Sequence, residues 1–219
     1  MTMISYAQNY EDVILMRALR EVERGFYIDV GAQHPIVDSV TKAFYEKGWQ
    51  GINIEPVPHW HGLLLQDRPR DINLKVAVSD SDRELVLFEV VDTGLSTTWE
   101  RYAKVHASDG RMVERHLVEC LTLDEIVERH SAGDIHFLKV DAEGAEAAVM
   151  RSLSLERHRP WIMAIEATEP NSQNPACADW EPRVLASGYE LVYEVGLNRF
   201  YLAQERAELK SAFHLPPNY

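Results

Sequence analysis

The chain has 219 residues, of which 46% are hydrophobic and 9% aromatic, a composition typical of a folded globular protein rather than a disordered one. Its 22 basic and 35 acidic side chains give a net charge of −13, which argues against binding to nucleic acid and to anionic membrane surfaces. No apolar run approaches the ~20 residues of a transmembrane helix, residues 1–10 show no secretory leader pattern, and there are two cysteines. We therefore expect a soluble, cytoplasmic protein with reduced thiols.

Apolar periodicity and turn residues predict strands that alternate with helices along most of the chain. The predicted helices are 9–23, one capped by Ser39 or Asp38 and ending before Gly48, a short one at 60–66, 122–130 with a capping box, 143–153 and 179–186. The predicted strands and extended segments are 26–30, 51–55, 72–78, 84–90, 112–121, 135–140, 161–165, 189–195 and 199–203. The polar stretch 92–110 is long for a loop and is interpreted as a lid or an excursion over the site.

This alternation predicts an α/β fold with a doubly wound, mostly parallel sheet and helices on both faces. The last two strands flank the turn Gly196-Leu197-Asn198 and predict an antiparallel terminal hairpin. With no repeat, linker or low-complexity tract, we predict one domain over 1–219. It would comprise an N-terminal helix within 1–24, a cofactor-binding α/β core over 25–195, and a terminal hairpin strand and tail over 196–219.

Acidic side chains end several predicted strands. Asp29, Glu55, Asp141 and Glu166 each close an apolar run, and Asp80 follows another. The carboxyl ends of parallel strands meet at one edge of a sheet, where nucleotide-like ligands bind. A single acid there could simply cap the next helix. Several acids around one crevice repel one another unless a ligand compensates, so we expect a binding site at this edge.

The turn after the first strand indicates which ligand binds. Glu55, at the end of the second strand, suits the diol of a ribose. A dinucleotide would also require a glycine-rich turn against its pyrophosphate, but residues 31–35 contain one glycine, Gly31. A cofactor with a ribose and no phosphate fits better, and this indicates S-adenosylmethionine.

Seven short motifs, in this order, resemble the FkbM-type methyltransferases. They are Asp29-Val30-Gly31-Ala32, Ser39-Val40-Thr41, Gly48-Trp49-Gln50-Gly51, Ile54-Glu55-Pro56, Ala77-Val78-Ser79-Asp80, Leu95-Ser96-Thr97 and 139–146. The resemblance runs from about Ser5 to the C-terminus and includes 196–201; Val40 departs from it, where members of the family often carry asparagine. It implies a class I methyltransferase fold, Rossmann-like with an antiparallel last strand, and methyl transfer from S-adenosylmethionine, usually to a hydroxyl of a glycan or polyketide.

The resemblance also implies, by position, how the cofactor is bound. The turn at 29–32 would lie under the methionine moiety and the sulfonium, Glu55 would bind the ribose, and Asp80 or its neighbours would meet the adenine edge. Ser39 and Thr41, at a helix N-terminus, could bind the methionine carboxylate or could only cap that helix. The predicted cofactor-binding residues are Asp29, Gly31, Ala32, Ser39, Thr41, Glu55, Ser79, Asp80 and Asp141.

Methyl transfer to oxygen requires a group that aligns the acceptor and takes its proton. We predict Asp141 for this role, with Glu143 as the second candidate, although Glu143 could instead cap its helix or contact the cofactor. Lys139 lies inside an apolar strand, where lysine is unusual, and is expected to pair with one of these carboxylates. Asp141 and Glu166 could also hold Mg²⁺, for which no third ligand stands out.

The irregular segments are expected to select the acceptor, because sugars bind through aromatic stacking and planar polar groups. The predicted acceptor-binding residues are Thr97, Trp99, Glu166, Trp180, Asn198 and Arg199, and Trp180 could alternatively only pack its helix. The leading interpretation is O-methylation of a sugar hydroxyl in a glycan or polysaccharide precursor. The alternatives are O-methylation of a polyketide or other secondary metabolite, an NAD-type oxidoreductase, and a non-catalytic nucleoside-binding module.

Overall fold

The computed structural model describes residues 4–131 and 133–217. The strands are β1 Phe26–Val30, β2 Gln50–Ile54, β3 Ile72–Leu74, β4 Ala77–Val78, β5 Glu84–Val90, β6 Val113–Leu121, β7 Phe137–Val140, β8 Ile162–Glu166, β9 Tyr189–Val195 and β10 Asn198–Ala203. The helices are α1 Glu11–Ala18, α2 Lys42–Glu46, α3 Pro58–Asp67, α4 Glu100–Ser108, α5 Leu123–His130, α6 Glu146–Arg151 and α7 Glu181–Ala186, followed by a 3-10 helix at Gln204–Phe213.

A seven-stranded sheet forms the centre of the fold, in the order β3-β2-β1-β7-β8-β10-β9. The first five of these strands pair in parallel, whereas β10 pairs antiparallel with both β8 and β9. The predicted doubly wound, mostly parallel sheet with an antiparallel C-terminal hairpin is therefore confirmed.

Successive residues of the central strands point to two separate apolar layers. Phe137 of β7 packs with Phe44 and Trp49 on one face, while its neighbour Leu138 packs with Ile126 of α5 on the other. This alternation within an uninterrupted apolar run is what a strand covered on both faces requires. Because apolar side chains cover both faces of the sheet, a ligand can approach the strands at the carboxyl edge.

The segment predicted as one strand at 72–78 is divided between two sheets. Residues 72–74 pair with β2, but Ala77 and Val78 pair with Cys120 and Leu121 of β6 in a second, three-stranded sheet of order β4-β6-β5. β5 and β6 pair antiparallel, and the polar stretch that connects them contains α4. The prediction of a single third strand is wrong because the long β6 strand captures the last two residues.

Five helices differ from their predicted bounds, of which α3 extends beyond 60–66 at both ends and α7 begins two residues after 179. The first helix is shorter than 9–23 at both ends, and α2 begins only after Thr41, so Ser39 or Asp38 as its N-cap is wrong. The helix after β7 begins three residues later than predicted, because Glu143 and Gly144 have φ of 48° and 98° and form a turn. The capping box at the start of α5 is confirmed. No helix within the described part of the chain has the length and apolar composition needed to cross a membrane.

Candidate active site

A cavity of about 280 Å³ opens at the carboxyl edge of β1, β2 and β7. Its polar wall contains Gly31, Glu55, Asp141 and Glu143, and its apolar wall combines residues after β2 with residues of the small sheet. The segment between β5 and α4 covers it. Five residues predicted for the cofactor or for catalysis, Gly31, Ala32, Glu55, Asp141 and Glu143, are thereby brought to one cavity.

Gly31 allows the turn after β1 to pack directly against the end of β7. Its φ is +73°, and a Cβ built on it would lie 1.8 Å from the carbonyl oxygen of Asp141. No side chain fits there, so glycine is required for both its conformation and its lack of a Cβ. The carbonyl of Gly31 also accepts a hydrogen bond of 2.7 Å from Nζ of Lys139. The turn is thus fixed to β7 without a side chain in the cavity.

Glu55 is buried, yet its carboxylate lines the cavity. Its Oε1 accepts the backbone N–H of Val57 and its Oε2 that of Gln33, both at 2.8 Å. Burial raises the pKa of Glu55 to about 7, against the opposing effect of these two hydrogen bonds. Each carboxylate oxygen can accept a second hydrogen bond, so a rigidly oriented acceptor pair is available to a ligand.

Asp29, Ser39 and Thr41 are buried and do not belong to the described cavity lining. Thr41 Oγ1 donates to Oδ2 of Asp29 at 3.0 Å, and Ser39 Oγ accepts from Nη2 of Arg68 at 3.0 Å. Neither hydroxyl caps α2, so that alternative for these two residues is wrong. Their predicted cofactor contacts stay predictions.

Four carboxylates gather at the ends of β7 and β8. Asp141 and Glu143 line the cavity, while Glu146 and Glu166 are buried, at 4% and 5% exposure. Burial, with the charges of Asp141 and Glu146, raises the pKa of Glu143 to about 8. Burial also raises the pKa of Glu146 to about 7, and burial with the charge of Asp141 raises that of Glu166 to about 10. Burial and crowding therefore disfavour the ionised forms of these acids.

Lys139 supplies the cation of this cluster, as its position in an apolar strand predicted. Its Nζ lies 3.3 Å from Oδ1 of Asp29 and 3.5 Å from Oδ2 of Asp141. Burial disfavours the ammonium, but these two carboxylates outweigh it and raise the pKa of Lys139 above its ordinary value. The pairing predicted for this lysine is confirmed, and it joins β1 to β7 beneath the cavity.

The segment after β5 is tied to the turn at Glu143. Thr97 Oγ1 donates to the carbonyl of Glu143 at 2.8 Å, and Trp99 Nε1 donates to the carbonyl of Gly144 at 2.9 Å. Thr97 is buried, whereas the indole of Trp99 is 47% exposed beside the turn. The expected excursion over the site is present, and its two side chains hold the backbone from which Glu143 projects.

Other predicted residues lie outside the described cavity lining. Asp80 pairs with Nε of Arg151 at 2.6 Å, and Ser79 Oγ accepts the N–H of Asp82 at 3.1 Å. Trp180 is buried in the core, edge-on to Tyr201 with ring centroids 5.7 Å apart. The roles predicted for Ser79, Asp80 and Trp180 stay predictions.

The two hairpin residues predicted for acceptor binding are also engaged elsewhere. Asn198 Nδ2 donates to Oε1 of Glu11 at 2.8 Å, and Arg199 forms ion pairs with Glu181 at 2.8 Å and Glu194 at 2.7 Å. The backbone of Asn198 pairs with Glu166, so the hairpin does reach the carboxylate cluster. Their predicted roles remain untested by these contacts.

Several cavity residues were not predicted. Gln8 comes from the N-terminal segment, Trp60 from α3, and Leu87 from β5 of the small sheet. Trp60 lies in a helix that the sequence did predict, but nothing in its spacing indicates which face meets a ligand. Gln8 and Leu87 reach the cavity only through the packing of distant segments, which no local pattern encodes.

Residues 29–191 match the profile of a family described as the Methyltransferase FkbM domain. Among solved structures, the chain is similar to a TehB-like SAM-dependent methyltransferase from Corynebacterium glutamicum, with 14% identity, 89% of this chain and 85% of that chain covered, and a TM-score of 0.42. It is also similar to an O-methyltransferase from Bacillus cereus in complex with SAH, with 12% identity, 91% and 83% coverage, and a TM-score of 0.44. No curated protein matches the sequence.

Proposed function

The chain belongs to the FkbM methyltransferase family, and we propose that it transfers the methyl group of S-adenosylmethionine to a hydroxyl of a sugar in a glycan or polysaccharide precursor. Family membership makes it an S-adenosylmethionine-dependent methyltransferase, and so neither an NAD-type oxidoreductase nor a non-catalytic module. The proposal adds the acceptor. The observation that carries it is the pair of carboxylates, Asp141 and Glu143, in the wall of the cavity that also contains Glu55.

The residues around the cavity fit this cofactor. Gly31 lines the cavity and places no side chain in it, and Glu55 has acceptor capacity for the two ribose hydroxyls. When bound, S-adenosylmethionine supplies a methyl group on a cationic sulfonium. The carboxylates of Asp141 and Glu143 favour a cation beside them. Asp29, Ala32, Ser39, Thr41, Ser79 and Asp80 are proposed as further cofactor residues on the sequence resemblance alone.

Transfer to a hydroxyl needs a base, because the acceptor oxygen loses its proton as it bonds to the methyl carbon. Asp141 would accept this proton or orient the hydroxyl, with Lys139 held 3.5 Å from its Oδ2. Glu143 is the second candidate. Its pKa of about 8 lies near physiological pH, where a group exchanges protons most effectively. These roles agree with the polar, acidic character of this wall.

The exposed indole of Trp99 supports a sugar as the acceptor. It stands beside the Glu143–Gly144 turn, and an aromatic face next to carboxylates suits the apolar face and the hydroxyls of a pyranose ring. Further acceptor contacts are proposed for Thr97, Glu166, Trp180, Asn198 and Arg199.

Transfer of a deuterated methyl group to a panel of acceptors tests this proposal. The panel contains nucleotide sugars, oligosaccharides and hydroxylated polyketides, and mass spectrometry detects the label. We expect the label on sugars. The labelled product should survive mild base, because mild base hydrolyses a methyl ester but not a methyl ether. Asp141→Asn should lower the rate by ~10²-fold or more while S-adenosylhomocysteine still binds.

Label confined to polyketide hydroxyls would replace the sugar by the alternative acceptor class. Label on nitrogen or on carboxylates would contradict O-methylation of a hydroxyl. An Asp141→Asn variant as active as wild type would remove Asp141 from the reaction.

A further inference from the structure

Three carboxylates converge next to the cavity from separate elements. Asp141 follows β7, Glu166 ends β8, and Glu146 is the first residue of α6. Val140 and Ile165 are register partners, so Asp141 and Glu166 are the next pair across the two strands. One oxygen from each of the three lies within 4.8 Å of one from each of the others. The sequence suggested Asp141 and Glu166 together, and the fold adds Glu146.

The hydrogen bonds around this set leave one buried carboxyl oxygen without a donor. Glu146 Oε1 accepts the N–H groups of Ala142 and Gly144, at 2.8 and 3.2 Å. Glu166, in contrast, is only 5% exposed, and its Oε2 has no hydrogen-bond partner. A buried carboxylate oxygen without a donor is costly, and native proteins rarely leave one unless something else binds it.

The nearby ammonium does not fill this gap. Lys139 Nζ is directed to the carbonyl of Gly31 at 2.7 Å and to Asp29 and Asp141 at 3.3 and 3.5 Å. Its three N–H donors are thereby directed to partners other than Glu146 and Glu166. No ion pair of Glu146 or Glu166 with a basic side chain is found within the described residues.

We propose that Asp141, Glu146 and Glu166 bind one divalent cation, with Mg²⁺ as the ion that their chemistry favours. Carboxylate oxygens are the ligands of hard cations, and Mg²⁺ commonly keeps several waters when few protein ligands hold it. Two ligands are buried and Asp141 is half-exposed towards the cavity, so the open positions of the ion face the acceptor. The bound cation supplies Glu166 Oε2 with the partner that Lys139 does not provide.

A cation in this position would also act on the acceptor, and this part rests on the proposed function. An acceptor hydroxyl that coordinates the ion loses its proton more readily. Glu143, which lines the same cavity and is not among the three ligands, is then the group that takes the proton.

Binding of Mn²⁺, which prefers the same oxygen ligands, tests the site without any acceptor. Free Mn²⁺ is measured by electron paramagnetic resonance during titration of the full chain, and MgCl₂ is added as competitor. We expect one ion per chain, displaced by Mg²⁺, and an affinity at least ~10-fold lower in Glu166→Gln, the scale of effect known for residues around metal sites. If that variant fails to fold, Asp141→Asn takes its place.

The matched control is Glu114→Gln. It alters a second cluster, Glu89, Glu114 and His116 on the small sheet, whose ligand atoms are equally close. Its Mn²⁺ affinity should stay within about twofold of wild type. Absence of binding at millimolar metal, equal affinity of Glu166→Gln and wild type, or loss of binding in Glu114→Gln alone would each overturn the proposal. A titration with S-adenosylhomocysteine on the same sample reports the cofactor site, so either idea can fail without the other.

Discussion

Two of the places where the protein buries charged side chains differ in how completely their polar atoms are hydrogen-bonded. In the first, which we term the Arg68 network, Arg68 is fully buried next to Tyr27 of β1 and Asp71, the residue before β3. Its guanidinium donates to the carbonyl of Pro35 at 2.5 and 3.2 Å, to Ser39 Oγ at 3.0 Å and to Tyr27 Oη at 3.3 Å. Tyr27 in turn donates to Asp71 at 2.5 Å. One cation and one carboxylate are thus embedded among neutral donors and acceptors.

The carboxylate cluster at the ends of β7 and β8 is matched much less well. Asp141, Glu143, Glu146 and Glu166 share Lys139, which is divided between this cluster and Asp29. Buried oxygens without a hydrogen bond are found on two of its acids, Glu143 Oε2 and Glu166 Oε2, and on the neighbouring Asp29 Oδ1, which is 3.3 Å from Lys139. The Arg68 network contains one such atom, the neutral amide oxygen of Asn53.

We interpret this difference as separating charges that build the fold from charges that a ligand would compensate. Breaking a buried ion pair costs stability, because removal of one partner leaves the other charge buried without a counter-charge. A crowded set of carboxylates is strained by its own repulsion and is relieved by a cation, a proton or the loss of one acid. Neutralising a charged side chain should therefore destabilise the protein much more in the first place than in the second.

The largest effect is expected for Arg68→Met. Removal of the guanidinium leaves the buried Asp71 without its counter-charge and releases the loop from Pro35 to Ser39, which should lower the free energy of unfolding by ~3–5 kcal/mol. Urea denaturation followed by circular dichroism measures this loss. The loop also carries Asp38 of the cavity wall, so affinity for S-adenosylhomocysteine should fall as well.

Arg20→Met is the matched control, because the side chain of Arg20 is 76% exposed and, within the described part of the chain, forms an ion pair only with its neighbour Glu21. Its effect should stay within about 0.5 kcal/mol. A loss below about 1 kcal/mol in Arg68→Met would show that the Arg68 network does not stabilise the fold. The distinction between this network and the carboxylate cluster would then be wrong.

The second effect concerns Glu55 and the cofactor. Glu55→Ala removes a charged acceptor that the backbone holds in place, which should weaken binding of S-adenosylhomocysteine by ~30-fold, or ~2 kcal/mol, in a calorimetric titration. Asp80→Ala is the companion variant, since Asp80 is paired with Arg151 outside the described lining. A similar loss there would support its predicted adenine contact. Unchanged affinity in Glu55→Ala would contradict the ribose contact.

The third effect is a pH dependence of cofactor binding. Burial raises the pKa of Glu55 to about 7, with Lys139 and Asp29 as the charges that face it. Ribose hydroxyls donate to the ionised carboxylate, so binding favours the deprotonated form and affinity should increase as pH rises. Between pH 6 and 8 the ionised fraction grows from roughly a tenth to nine-tenths, which gives about a tenfold gain that levels off above.

Glu55→Gln cannot titrate and should flatten this dependence. Calorimetric titrations of wild type and variant at a series of pH values give the comparison. Affinity that declines with pH in wild type, or a slope that persists in Glu55→Gln, would rule out Glu55 as the group responsible.

Features encoded by short stretches could be predicted from the sequence. The apolar strand before Gly31, the capping box at Thr122 and the terminal hairpin each depend on neighbouring residues, and each is present. Asp141 and Glu166 could be placed at one edge because parallel strands all end on the same side of a sheet.

What could not be predicted depends on contacts between distant segments. The turn at Glu143 is held by Thr97 and Trp99, more than forty positions away, and this delays α6. Glu146 consequently joins the carboxylate cluster rather than continuing a helix from 143. Arg68 gives no local signal at all, because its importance arises from burial against Pro35 and Ser39.

The smallest effect is expected for Glu166→Gln, and it completes the contrast with Arg68→Met. Gln keeps the shape of Glu166, removes one of several crowded acids and leaves no opposite charge stranded, since Glu166 pairs with no basic side chain in the described structure. In the presence of EDTA, the free energy of unfolding should change by less than about 1 kcal/mol, in either direction. Urea denaturation of both proteins measures it. A loss of ~3 kcal/mol, comparable with that of Arg68→Met, would mean that Glu166 is needed for the stability of the fold. A buried acid without a basic partner would then not be evidence for a ligand site.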